Sequence, residues 1–204
     1  MLKEVYQKFT DLVFVNLLWI LVSFLGVFVT VGAASTAMFS VTFQLLKKKE
    51  PTNVFSSYVK SFKENFVAST LVWLVLVLLF IPLYMMYNYG LNQGLSWLVV
   101  VALVGFYQLL IFTLYVFPVM AVFKTRSMLQ LIKNVILMAN TNLWTNVKII
   151  GSLALVALLM IYIHESMLLI GIGIYGILVS FHLNIVFKPF YVQLDALDEE
   201  GELK

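Results

Sequence analysis

The sequence predicts an all-α, polytopic helical membrane protein with about six membrane segments arranged as three hairpins. Hydrophobic residues make up 62% of the 204 residues and charged residues only 11%, whereas a soluble domain carries roughly 25% charged residues. A water-soluble fold of this size keeps a large part of its surface in contact with water. It could not cover so much apolar side chain, so lipid is the expected solvent for a single membrane domain over 1–204.

Long runs without Asp, Glu, Lys or Arg set the predicted segments. These runs cover residues 12–46, 65–123, 149–164 and 166–187. A helix needs about 20 apolar residues to cross a hydrocarbon core of about 30 Å. The second run therefore holds two helices, near 66–87 and 95–122, which are joined by the Gly- and Asn-rich residues 88–94. The last two runs meet at Glu165 and form a hairpin over 148–187.

The first run, residues 12–46, is compatible with more than one arrangement. As one helix it would reach about 52 Å at 1.5 Å per residue, which is too long for a single crossing. Two helices over 12–29 and 35–46, with a turn at residues 31–34, are one solution, and a re-entrant hairpin is another. Both return the chain to the side of the membrane that it left.

Lysine and arginine residues predict the orientation. All 13 lie in the N-terminal segment, in 47–64, in 124–148 or in the tail, and none lies in the three predicted reversals. Cytoplasmic loops collect Lys and Arg, so both termini and both linkers are expected on the cytoplasmic side. The same placement beside membrane segments argues against nucleic-acid binding as the reason for the net charge of +3.

The first inner linker, 47–65, is predicted to form an amphipathic helix after the corner set by Pro51. Its apolar residues recur on one helical face, and its charged residues fall off that face. The apolar stripe comprises Phe55, Tyr58, Val59, Phe62 and Phe66. Such a helix lies on a membrane surface or against a partner. The candidate partner-docking residues are Phe55, Tyr58, Phe62 and Lys63.

The second inner linker, 124–147, has a similar but less polar pattern. Its apolar face comprises Leu131, Val135 and Met138, with Leu143 as a further candidate. We therefore expect two amphipathic interfacial helices on the cytoplasmic side, which are either ordinary surface helices or a docking surface. The acidic tail, 193–204, is predicted to be solvated and flexible.

Few polar residues lie at membrane depth. The candidate intramembrane polar site comprises Asn16, Gln108, His182 and Asn184. His182 is most simply a packing residue hydrogen-bonded to Asn184, and the alternative is a proton-linked or ligand-binding group. His164 and Glu165 are adjacent at an outer turn but lack the further ligands that a metal site needs. No catalytic or phosphate-binding motif occurs, so no enzyme activity, metal or cofactor is predicted.

Two parts of the sequence resemble the YesL-like family of bacterial integral membrane proteins, a domain of unknown function. The first comprises Asn16-Leu17-Leu18-Trp19 and the string from Thr30 to Ala37, TVGAASTA, and the second is Phe62-Lys63-Glu64-Asn65-Phe66. Family members often have Pro soon after the Trp, where this chain has Phe24-Leu25-Gly26, so the first turn is expected to differ. The resemblance implies a bacterial inner-membrane location and a role beside carbohydrate-utilisation and sugar ABC-importer systems.

Together these observations favour a non-enzymatic accessory or assembly subunit of a carbohydrate ABC importer. The alternative is a small secondary transporter or channel, with Gln108, Pro118, His182 and Asn184 along its pathway. The expected partners are the lipid bilayer and sugar-importer subunits, and the oligomeric state stays open, a homo-oligomer included.

Overall fold

A computed structural model describes residues 2–46, 53–123, 127–162 and 170–202, and these residues form seven α-helices without a strand. The helices are α1 (Leu2–Leu25), α2 (Val31–Leu46), α3 (Val54–Asn92), α4 (Ser96–Val122), α5 (Met128–Thr141), α6 (Leu143–Tyr162) and α7 (Gly171–Glu202). Among the described helices α1, α3, α4, α6 and α7 are long and apolar enough to cross a membrane, and α2 is a shorter apolar helix. The predicted all-α, multi-pass membrane fold is confirmed.

Helix α2 lies at the centre of the structure. It packs against α1, α3, α4 and α7, and most of its 16 residues are buried. Small residues such as Gly32, Ala33 and Ala37 let the neighbouring helices approach closely. The helix is about 24 Å long at 1.5 Å per residue, which is shorter than a hydrocarbon core of about 30 Å. The first hairpin, 12–46, is thus a long helix followed by a short one surrounded by protein.

The turn of this hairpin does not lie where the sequence predicted it. Residues 26–30 form the turn, and residues 31–34 already belong to α2. The prediction was wrong because the small residues at 31–34 were interpreted as turn formers. Their small size instead permits close packing, since a Cβ atom on Gly32 would lie against the Ser69 carbonyl oxygen and 2.7 Å from the Trp73 Cβ.

The residues of the turn itself have unusual backbone angles. Val27 and Phe28 have positive φ values of 49° and 60°, in a region that costs non-glycine residues about 1–3 kcal/mol each. Two side-chain hydrogen bonds hold this conformation. Trp73 Nε1 donates to the Phe28 carbonyl oxygen at 3.0 Å, and Thr30 Oγ1 donates to the Val22 carbonyl oxygen at 2.8 Å.

The first inner linker is helical, but it is not a separate surface helix. From Val54 onward it is the first part of α3, which continues without a break to Asn92. Asn53 caps the helix by accepting a hydrogen bond from the Ser56 backbone N–H at 3.3 Å. The sequence offers no Gly or Pro to end the helix before Pro82, and the 39 residues reach about 58 Å. The amphipathic segment and the following membrane segment therefore form one rigid element.

The remaining elements follow the predictions with shifted boundaries. In α5 the predicted face of Leu131, Val135 and Met138 is buried, whereas Leu143 is exposed and begins α6. Helix α7 extends to Glu202 where a flexible tail was predicted, because Gln, Ala, Leu and Glu in that tail favour a helix. The predictions for Lys47, Lys48, Lys49, Pro51, Lys124, Arg126, His164, Glu165 and residues 203–204 fall outside the described residues.

Candidate functional site

The four polar residues predicted inside the membrane do not form one site. Asn16 is fully buried on α1, where its Oδ1 accepts a hydrogen bond from the Gly173 backbone N–H of α7 at 3.0 Å. This contact requires the two helices to touch, and a Cβ atom on Gly173 would lie 2.8 Å from the Leu12 carbonyl oxygen. Asn16 is therefore a helix-joining residue.

His182 makes a different helix contact from the one predicted. Its Nε2 lies 3.2 Å from the Ser152 hydroxyl of α6, and that hydroxyl also donates to the Lys148 carbonyl oxygen at 2.8 Å. Asn184 follows on α7 two residues later, half-buried, so it cannot share the face of His182. Gln108 lies on α4 in another part of the structure. The structure therefore does not place Gln108 beside His182 and Asn184.

A polar space, which we name the polar cavity, lies between α2, α3, α4 and α5. Its volume is about 920 Å³. Its polar lining residues are Ser40, Gln44, Ser57, Lys60, Ser61, Glu64, Asn65 and Ser127. One cation, one anion, four hydroxyl groups and two amides thus face a single space. This set can bind a ligand that carries both signs of charge or many hydrogen-bonding groups.

Buried hydrogen bonds fix the helices that form this cavity. The Thr36 hydroxyl of α2 lies 2.9 Å from the Ser69 hydroxyl of α3, and the Ser69 hydroxyl also lies 3.8 Å from the Met120 sulfur of α4. Both hydroxyl-bearing residues are fully buried. Three helices therefore meet at these side chains beside the cavity, and its lining residues Phe123 and Ser127 lie in the connection between α4 and α5.

A second space, which we name the apolar cavity, adjoins the first one. It has a volume of about 650 Å³ and lies between α3, α4 and α5. Among its lining residues only Gln108 has a polar side chain; the others include Leu71, Leu83 and Ile132. Met128 and Leu131, at the start of α5, line both cavities. Gln108 is therefore part of an apolar, ligand-sized space.

The predicted docking residues have different environments. Tyr58 is buried, and its hydroxyl donates to the Ala34 carbonyl oxygen at 3.2 Å, so it stabilises the α2–α3 contact and offers no surface. Phe62 is half-buried, with its ring centroid 5.3 Å from that of Phe66. Phe55 and Lys63 are exposed. The apolar stripe of this segment is thus divided between the core and the surface.

Sequence reasoning missed the polar cavity. Part of the signal on α3 was present, since Lys60 and Glu64 fall off the apolar stripe, but that side was not predicted to line a cavity. The other polar lining residues, Ser40, Gln44 and Ser127, lie far from this segment in the sequence, so no local pattern connects them with it. Within the described residues, no group of three or more His, Asp or Glu residues could hold a metal ion.

Comparison with known families identifies the N-terminal part of the chain. Residues 12–87 match the model of a family described as a protein of unknown function, DUF624. This stretch holds most of α1, all of α2 and most of α3, and it includes both strings that resemble YesL-like proteins. No curated protein and no solved structure matches the chain. The family model thus supports the resemblance to YesL-like proteins, the family known as DUF624, over residues 12–87.

Proposed function

We propose that this protein is a non-enzymatic accessory or assembly subunit of a carbohydrate ABC importer in the bacterial inner membrane. The importer association comes from the YesL-like resemblance. The observation that supports docking is an aromatic face on α1 and α3, which we define as Phe14, Phe55 and Phe66 with Lys63 at its edge. The three rings are 41%, 50% and 38% exposed.

The chemistry of the aromatic face suits a protein partner. Aromatic side chains are enriched at protein interfaces, where a few of them supply most of the binding energy. The Phe14 and Phe55 rings already lie together, with centroids 6.4 Å apart, so binding would require little further ordering. Lys63 adds a charge that an acidic partner surface would complement. A transporter or channel has less support, because Gln108 lies on α4 in the apolar cavity whereas His182 lies at the contact of α6 with α7.

The docking proposal is tested by purification of the tagged protein from its native membrane in mild detergent. We expect importer permease subunits to copurify, and we expect the double substitution Phe55→Ala and Lys63→Glu to reduce their recovery at least about tenfold, the effect of losing about 1.4 kcal/mol of binding energy. Lys133→Glu is the matched control, because Lys133 is an exposed lysine on α5 away from the aromatic face. Recovery of no importer subunit with the wild-type chain would refute the proposal.

The proposed orientation places both termini and α5 in the cytoplasm. The basic residues support it, and the absence of cysteine from the chain makes single cysteines clean reporters. In intact spheroplasts, a membrane-impermeant maleimide should label Gln93→Cys in the α3–α4 turn. It should label Lys8→Cys and Lys133→Cys only after permeabilisation. Labelling of either lysine position in intact spheroplasts would contradict this orientation.

A further inference from the structure

We propose that the polar cavity and the apolar cavity together bind one phospholipid of the cytoplasmic leaflet, with its headgroup in the polar cavity and its acyl chains in the apolar cavity. The site is separate from the aromatic face, and no step of the importer proposal depends on it. The two cavities meet at Met128 and Leu131. A ligand that fills both must therefore join a polar part to an apolar part, as membrane lipids do.

The order of the cavities along the helices matches the order of the parts of a lipid. On α3, residues between 57 and 68 line the polar cavity, and residues between 71 and 83 line the apolar cavity. On the antiparallel helix α4 the corresponding segments are 120–122 and 105–116. On both walls the polar cavity is nearer to the basic linkers, and the apolar cavity is nearer to the α3–α4 turn. A headgroup in the polar cavity would thus lie toward the cytoplasmic side.

The length of the apolar cavity also fits acyl chains. Leu71 and Leu83 are twelve residues apart on α3, or about 18 Å along the helix. One leaflet of a bilayer contributes half of a hydrocarbon core of about 30 Å, or about 15 Å. The cavity therefore extends about as far as the chains of a single leaflet. A water-soluble ligand would leave this apolar space unfilled, and a pure hydrocarbon would leave the polar cavity without a partner.

The charges of the polar cavity specify the headgroup. Lys60 and Glu64 are one helical turn apart, which places their Cβ atoms about 5–6 Å from each other. Within the described residues no ion pair joins them, and both side chains are exposed to the cavity. A phosphate on Lys60 and an ammonium group on Glu64 would satisfy both charges. Phosphatidylethanolamine carries these two groups on a two-carbon bridge, whereas an anionic phosphatidylglycerol would leave Glu64 beside a negative charge.

The test is native mass spectrometry of the full-length protein in mild detergent, titrated separately with phosphatidylethanolamine and phosphatidylglycerol. We expect one phosphatidylethanolamine to bind with higher affinity than phosphatidylglycerol. Lys60→Ala should weaken its binding about tenfold, the effect of losing one charge-assisted hydrogen bond. Val75→Trp should fill the apolar cavity and weaken the binding of both lipids.

Matched controls separate the site from general effects on the membrane surface. Lys133→Ala removes an exposed lysine outside both cavities, and Val77→Trp enlarges an exposed α3 side chain that does not line the apolar cavity. Both controls should bind as the wild type does, and thermal unfolding of each variant shows whether it is folded. The proposal is overturned if the wild type retains no lipid, if phosphatidylglycerol binds at least as well, or if folded Lys60→Ala and Val75→Trp variants bind normally.

Discussion

Replacement of Gly32 by alanine is expected to lower the free energy of unfolding by about 1–3 kcal/mol, the usual cost of overpacking a filled core. The added Cβ atom would meet the Ser69 carbonyl oxygen, the Trp73 Cβ at 2.7 Å and a Phe117 ring carbon at 3.0 Å. A carbonyl oxygen in a helix cannot rotate away, so α2 would have to move from α3 and α4. SDS-titration unfolding in mild detergent measures this loss.

The control for Gly32→Ala is Gly151→Ala on α6. A Cβ atom at Gly151 would have no heavy atom within 4 Å, and alanine is favoured over glycine in a helix by up to about 1 kcal/mol. The control variant should therefore be as stable as the wild type or more stable. If Gly32→Ala were as stable as Gly151→Ala, α2 would have to lie farther from α3 and α4 than it does in the structure.

The helices and their membrane character could be predicted because they depend on features that are local in sequence. The length of the runs without charged residues identified the hairpins. The helical periodicity of the apolar residues identified the buried face of α5. The position of the first turn could not be predicted, because Val27 and Phe28 carry positive φ values without the glycine or asparagine that usually marks them. Their conformation depends on the distant residue Trp73.

The candidate site was harder to predict than the helices for a related reason. Periodicity shows which residues of a helix share a face, but it does not show whether that face meets lipid, a partner or the same chain. Tyr58 lies on the predicted apolar stripe and is nevertheless a core residue. The polar cavity requires Ser40, Lys60 and Ser127 to meet, although each lies in a different part of the sequence. The packing of α2 and α4 against α3, and of α5 against α4, brings these parts together.

Replacement of Asn146 by alanine is expected to have the second large effect. Asn146 is buried near the start of α6, and its Oδ1 accepts a hydrogen bond from the Tyr115 hydroxyl of α4 at 2.7 Å. Its Nδ2 donates to the Ala139 carbonyl oxygen of α5 at 2.8 Å. One side chain therefore joins three helices. Interhelical hydrogen bonds in membrane proteins contribute about 0.6–1.7 kcal/mol each, so the loss of both should cost about 1–3 kcal/mol in the same unfolding assay.

The matched control is Asn140→Ala, because the Asn140 side chain is exposed and donates only to the Ile136 carbonyl oxygen within its own helix at 2.9 Å. It should change stability little. Tyr115→Phe should lower the free energy of unfolding less than Asn146→Ala does. It breaks only one of the two hydrogen bonds of Asn146, and it removes the Tyr115 hydroxyl that donates that bond. In a double-mutant cycle the two substitutions should then be non-additive. Strict additivity would mean that Tyr115 and Asn146 are not coupled, which would contradict the hydrogen bond between α4 and α6.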